Sequence, residues 1–476
     1  MTLKEKIVSG LGWNLGTSFF NQGVGFITKI ILARLLFPED FGLFALAYLV
    51  IQCLSLFLGL GVFSALIYKE EKQQLYNAGF FLSVLSGIVL SLIAFFSKNL
   101  VASFFNNPHL SSLIAVLSVV LFFDSVSGFF SSILIKNFSF KRKAVGEIFS
   151  AVVYNCSVIA LAWAGYGVWS LVWSFFIQHL LLMIFFWLFS RQKVSLKSDS
   201  TAIKELLHFG KYITGNSILA WIIVSMDNVI VGKKLGSEQV GYYSFSFNIA
   251  TLPILSVSHI VTSVFHPVYA KVREDKELLK KTYIRPLEYC LFIMIPLSLF
   301  LFFFAHDFVY FVLGERWLSI IPLLRIFSIY CVVRTYCTLS SSLLEGIGKP
   351  RIITILSAIE LGILVLLIGL LIPKGISGVA MGVVIARSIS VLLYHRALKE
   401  VFVISYLEYI QLLWKKGVAA GIMVLFFYIT LSILPYTLWA FICTCFVSGL
   451  SYLVALFILE KTFFTDAHKE LKTIYM

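Results

Sequence analysis

The residues of this chain best equipped for chemistry lie inside apolar runs rather than in the connectors between them. Between positions 10 and 33, Asn14, Ser18, Asn21, Gly25 and Thr28 recur at steps of three or four, with Gln22 and Lys29 beside them. That spacing aligns them on one stripe of a helix. Tyr48, Gln52, Ser55 and Gly59 repeat the pattern, as do Ser217, Ala220 and Asp227, and then Asn248, Thr251, His259, Thr262 and His266. A polar stripe surrounded by lipid must face protein or water. Close helix packing would account for the small residues alone. It does not account for Lys29, Asp227, His259 and Arg334, each of which would cost several kcal/mol against hydrocarbon. These faces are therefore expected to line a wet central cavity.

Not every buried charge belongs to such a cavity. Glu360 and Arg387 lie at similar distances on either side of a tight turn, hence at similar depth on adjacent helices, and read as a structural ion pair. Arg325 and Arg334 are close to half a turn out of phase and should not share a face. Arg334 is the one expected to see the cavity.

The elements that must position these groups follow from composition. Hydrophobic residues make up 59% of the 476 and charged residues 13%, with a mean hydropathy of +0.94, more apolar surface than one water-soluble core could hide. Apolar runs of about 20 residues, the length needed to span a bilayer, recur along the chain. They predict an all-α polytopic membrane protein with about fourteen transmembrane helices. The first run follows Lys4 and Lys6 but carries polar residues and no small-residue cleavage site, so it reads as a retained span rather than a signal peptide.

The net charge of +14 does not point to nucleic acid. Lys136, Lys141, Arg142 and Lys143 fall in one connector, and Lys271, Arg273, Lys276, Lys280, Lys281 and Arg285 in another. With both termini placed in the cytoplasm, such clusters fall inside, as the positive-inside rule requires, with contact to anionic lipid headgroups as a second role. The seven cysteines are scattered, and Cys443 and Cys445 lack metal-ligand spacing. No nucleotide-binding, hydrolase or metal motif occurs in a supporting context, so no cofactor, metal or catalytic residue is expected. A polymerase or glycosyltransferase, which usually needs a sizeable outer catalytic loop, is disfavoured because the longest predicted outer connector is only about a dozen residues.

The chain also carries an internal duplication. At an offset of 199, Ile31, Arg34, Leu36, Glu39, Gly42 and Phe44 fall on Ile230, Lys233, Leu235, Glu238, Gly241 and Tyr243. At an offset of 210, Ser131, Ser132 and Lys141 fall on Ser341, Ser342 and Arg351, and Asp124 falls on Arg334. The repeat begins after an even number of spans, so both halves run in the same direction, related by an axis along the membrane normal. The expected organisation is two pseudo-symmetric six-helix lobes, 1–200 and 201–400, followed by two additional C-terminal helices and a cytoplasmic tail over 401–476.

The strings LARLLFPEDFGLFALA (32–47), DNVIVGKKLGSEQVGYYSFS (227–246), LGERW (313–317) and EGIGKPR (345–351) resemble the polysaccharide-transporter family. These are the Wzx-type lipid-linked oligosaccharide flippases of the multidrug/oligosaccharidyl-lipid/polysaccharide exporter superfamily, in the branch of colanic- and teichuronic-acid exporters. The resemblance runs over almost the whole chain. It implies a bacterial cytoplasmic-membrane protein that moves an undecaprenyl-pyrophosphate-linked repeat unit between leaflets, alongside polysaccharide polymerase machinery. On that basis Lys29 and Arg334 are candidates for the pyrophosphate, since buried cations bind it through charge-assisted hydrogen bonds. Asn21, Gln22, Gln52 and Asn248 are candidates for sugar hydroxyls, Tyr48 for ring stacking, and His259 for a further substrate contact. Asp124, Asp227 and His266 are candidates for coupling to an ion gradient, with a fixed hydrogen bond an equal reading of Asp227. A drug or cation antiporter of the same superfamily is the alternative function.

Overall fold

The computed structural model describes residues 3–68, 72–197, 199–402 and 405–460. Among them the chain is helical, with no strand, because a backbone in hydrocarbon must satisfy its N–H and C=O groups internally. The helices are Leu3–Leu35 (α1), Pro38–Ser55 (α2), Val62–Tyr68 (α3), Gln73–Phe104 (α4), His109–Lys136 (α5), Phe140–Trp163 (α6), Val168–Ser190 (α7) and Ser200–Leu235 (α8). They continue with Ser237–Val272 (α9), Lys276–Phe303 (α10), Ala305–Phe308 (α11), Ile321–Gly346 (α12), Pro350–Leu371 (α13), Gly375–Lys399 (α14), Tyr406–Ile433 (α15) and Leu438–Leu459 (α16).

Nine stretches among the described residues are long and apolar enough to cross a membrane, and the one at Pro350–Lys399 holds both α13 and α14. That number refers to the described residues alone; among them α1 carries a polar stripe that lowers its hydropathy, and α2 is cut short.

That interruption breaks the helical stripe expected from Tyr48, Gln52, Ser55 and Gly59. Helix α2 ends at Ser55, a 3₁₀ turn covers Leu58–Gly61, and α3 resumes at Val62. Gly59 sits at φ +62°, a left-handed conformation that glycine adopts without strain. Its N–H donates to Ser86 Oγ at 3.3 Å. Ser86 and Ser125 share a 3.1 Å hydrogen bond, and Ser125 donates to the Ser83 carbonyl at 2.7 Å. A serine cluster on α4 and α5 thus meets the polar backbone freed by the break, as a broken helix at membrane depth requires.

Spatially the chain divides within α9 into two compact units, 1–245 and 246–476. In the first, α4 packs on α5, α5 on α7, α7 on α6, and α6 on α1. In the second, α10 packs on α12, α12 on α14, and α14 on α13, so the same order of neighbours recurs. Helix α15 adds to α10 and pairs with α16. The joint is closed by Tyr283, Leu287, Met423 and Leu456, by Tyr452 Oη donating to the Phe292 carbonyl at 2.8 Å, and by a fully buried Lys416 whose Nζ lies 3.2 Å from Glu460 Oε2. A lysine at that depth needs its carboxylate, since an unpaired buried charge is strongly destabilising.

Within the first unit the α1–α2 and α8–α9 turns meet. Pro38 opens α2 at a position where its missing N–H costs nothing, and Asp40 Oδ2 accepts the Phe37 N–H at 2.9 Å. A Cβ placed on Gly42 would lie 1.8 Å from the Ser237 carbonyl oxygen, and one on Gly241 would lie 1.8 Å from that of Pro38. Residues 38 and 237, like 42 and 241, are separated by the 199-residue offset, so the contact is reciprocal. Only glycine permits the backbones to approach this closely.

Candidate functional site

In the first unit the structure brings Tyr48, Gln52 and Asp124 together around a residue that the stripes do not reveal, His179 on α7. Asp124 Oδ1 pairs with His179 Nδ1. The His179 ring lies 4.1 Å from that of Phe175, which meets the Tyr48 ring edge-on at 5.1 Å, and Gln52 hydrogen-bonds the Tyr48 side chain. All four polar groups are half-buried. An imidazole and a carboxylate in contact can share or exchange a proton. His179 was legible by the rule that singled out the others, being an ionisable residue inside an apolar run.

Along α1, Lys29, Asn21 and Gln22 are half-buried while Phe19, Phe20 and Ile27 are exposed, so one side of the helix is apolar and open. Gln22 Nε2 donates to Ser18 Oγ at 2.9 Å. The Asn21 carbonyl oxygen is enclosed without a hydrogen-bond partner among the described residues. Asp227 is held differently. It is buried and accepts the Tyr243 hydroxyl at 2.7 Å through Oδ2, and the Asn228 backbone N–H at 2.7 Å through Oδ1. The Tyr243 bond ties α8 to α9 near their turn, while the Asn228 N–H holds the carboxylate from within α8.

In the second unit, Arg387 Nη1 lies 3.0 Å from Glu360 Oε2, with the side chains 17% and 6% exposed. The expected pair is thus in contact between α14 and α13. Two guanidinium groups approach the Tyr330 ring, with Arg334 5.7 Å and Arg387 5.9 Å from its centroid. Two cations face one aromatic ring and one carboxylate, which leaves a surplus positive charge at Arg334. Tyr330 is one turn before Arg334 on α12, a signal available from spacing. Arg325 is exposed and Arg334 half-buried, as their phase difference requires. Asn248 is exposed on α9. His266 joins Thr262, Thr338, Ser341, Ser342 and Glu345 around a polar pocket of about 460 Å³. His259 lies outside the residues whose side chains are described.

Polar groups distributed over long apolar helices suit a translocation path better than a catalytic centre, and comparison with known proteins agrees. The profile of the family described as "Polysaccharide biosynthesis protein" matches residues 31–322. The chain belongs to that family.

Among relatives of this polysaccharide-biosynthesis family member is the lipopolysaccharide biosynthesis protein WzxC of Escherichia coli, 26% identical over 87% of this chain and 85% of its own. The succinoglycan biosynthesis transport protein ExoT of Rhizobium meliloti is 23% identical over 74% and 72%. The teichuronic acid biosynthesis protein TuaB of Bacillus subtilis is 22% identical over 61% of each. These names bear out the Wzx-type resemblance. The fold matches that of the lipid II flippase MurJ in an inward closed conformation, with a TM-score of 0.78, 18% identity and coverage of 94% of this chain and 98% of the other. An inward-facing multidrug resistance transporter of the MATE family, itself of the MOP superfamily, matches in fold with a TM-score of 0.65 at 19% identity, over 80% and 94%.

Proposed function

We propose that the chain is a flippase that carries a polyprenyl-pyrophosphate-linked oligosaccharide from the cytoplasmic to the outer leaflet of a bacterial cytoplasmic membrane, by alternating access, for cell-surface polysaccharide synthesis. The observation that carries this reading is the half-buried Arg334 beside a carboxylate that already has Arg387, in a family of polysaccharide biosynthesis proteins. A surplus cation on a helix that also bears hydroxyls suits an anionic sugar phosphate, whereas a cationic drug would be repelled. The relatives named for polysaccharide synthesis and transport support the same substrate class over the antiporter alternative.

In this reading 1–200 and 201–400 are the two lobes, 401–476 adds two spans and a tail, and both termini are cytoplasmic. Lys29 and Arg334 receive the pyrophosphate. Asn21, Gln22, Gln52 and Asn248 bond sugar hydroxyls, and the paired Asp124 and His179 are the groups through which proton coupling would act. The flipped unit is then handed to polymerase machinery.

The test is reconstitution in liposomes with a fluorescent polyprenyl-pyrophosphate oligosaccharide. Protein-dependent loss of inner-leaflet label is expected, and Arg334→Ala should slow it about tenfold or more, the value of one charge-assisted contact, at unchanged membrane abundance. No protein-dependent translocation across several glycans would overturn the reading.

A further inference from the structure

Among the described residues, the polar pocket between α9 and α12 corresponds to a filled space in the first repeat. At the offset of 199 Thr262 corresponds to Phe63, and at the offset of 210 Thr338 and Ser342 correspond to Gly128 and Ser132. In the first unit the Phe63 ring lies directly over Gly128, so close that a Cβ there would come within 2.7 Å of it. Phe63 packs against the cluster of Leu66, Phe129 and Phe130, and the space is filled. Ser132 is buried and donates to the Phe129 carbonyl at 2.7 Å. In the second unit the aromatic ring is replaced by Thr262 and the glycine by Thr338, which opens a volume of about 460 Å³. Ser342, only 7% exposed, has an enclosed hydroxyl without a partner among the described residues. A buried hydroxyl left unpaired is costly, and the cost is recovered when a ligand supplies the missing bond.

We propose that this pocket is a subsite for a sugar ring, an uncharged polyhydroxylated group, of the translocated substrate. The assignment rests on the flippase reading and deepens it by adding a glycan contact in the second repeat to the sugar-bonding groups already assigned. The lining chemistry selects the ligand. Serine and threonine hydroxyls both donate and accept, which matches the ambivalent hydroxyls of a sugar. The Glu345 carboxylate at the rim accepts from two neighbouring hydroxyls and repels phosphate. Among the described residues no lysine or arginine lines the pocket, so the pyrophosphate is assigned elsewhere. Volumes of this order are in the range of small-molecule sites.

The experiment measures binding to the full chain in nanodiscs of two fluorescent probes, a polyprenyl-pyrophosphate-linked disaccharide and the same polyprenyl pyrophosphate without sugar. Wild type should prefer the sugar-bearing probe. Thr262→Phe, which restores the filler of the first repeat, should weaken it about tenfold or more and leave the sugar-free probe within about twofold. Ser342→Ala, a change too small to threaten folding, should weaken the sugar-bearing probe by roughly three- to tenfold, the value of one hydrogen bond. Absence of a sugar preference in wild type, equal weakening of both probes, or binding untouched in both variants overturns the proposal. If the preference is present and lost in the variants while proteoliposomes translocate neither probe, the subsite stands and the flippase reading falls.

Discussion

Replacing Gly42 with alanine tests how far the meeting of the α1–α2 and α8–α9 turns controls the cycle. The added Cβ would stand 1.8 Å from the Ser237 carbonyl oxygen and 2.7 Å from its carbon. Ordinary contact is at about 3.4 Å or more, so the backbones must part locally by roughly 1.5 Å. Overpacking of this kind costs about 1–3 kcal/mol. A conformation in which the turns are apart escapes that cost, so the population moves toward it by about ten- to a hundredfold. Gly241→Ala should do the same, because its Cβ meets Pro38 in the reciprocal geometry. Spin labels at the exposed Glu39 and Glu238, in a cysteine-free background, report the separation of the two turns. Both variants should shift the distance distribution outward and slow transport. Gly369→Ala serves as the control, with nothing within 4 Å of the added carbon, and should stabilise α13 by about 0.5–1 kcal/mol through helix propensity. Unchanged distances and transport rates in both Gly42→Ala and Gly241→Ala would refute the closed contact.

Two further outcomes follow from the buried charges. Glu360→Leu or Arg387→Leu alone should destabilise by about 3–5 kcal/mol, since each strands a partner deep among helices, whereas the double substitution should recover much of the loss; thermal melting in detergent measures both, and additive losses would exclude a direct pair. Asp124→Asn and His179→Gln should each reduce transport, with the double variant no worse than the more severe single. Independent effects would mean that the two side chains act separately.

Helices and stripes were legible because membrane solvation is a strong filter. It forces helices of a set length and makes each buried polar group stand out, as Lys29, Asp124 and Glu360 do. The pair of Glu360 and Arg387 could be anticipated because a short turn fixes the relative depth of two helices. The pairing of Asp124 with His179 could not, although each stands out by itself, since they are 55 residues apart and only the packing of α5 on α7 brings the side chains together. For Asp227, sequence left coupling and structure as equal readings, and the Tyr243 hydroxyl places it in a hairpin brace. The break at Gly59 was missed because Leu56 to Leu60 are as apolar as a helix interior, and its stability comes from Ser86 on another helix.

The sequence by itself determined the all-helical membrane class, the family strings and the duplicated register, because hydrophobic length and residue offsets are properties of the linear chain. Only the tertiary structure decided why those strings are what they are. Gly42 and Gly241 are glycines because two backbones cross there, and Asp40 caps the turn that brings one of them to the crossing. Tertiary packing also showed where the repeats differ in space, since a phenylalanine and a glycine fill in one unit the volume that two threonines leave open in the other.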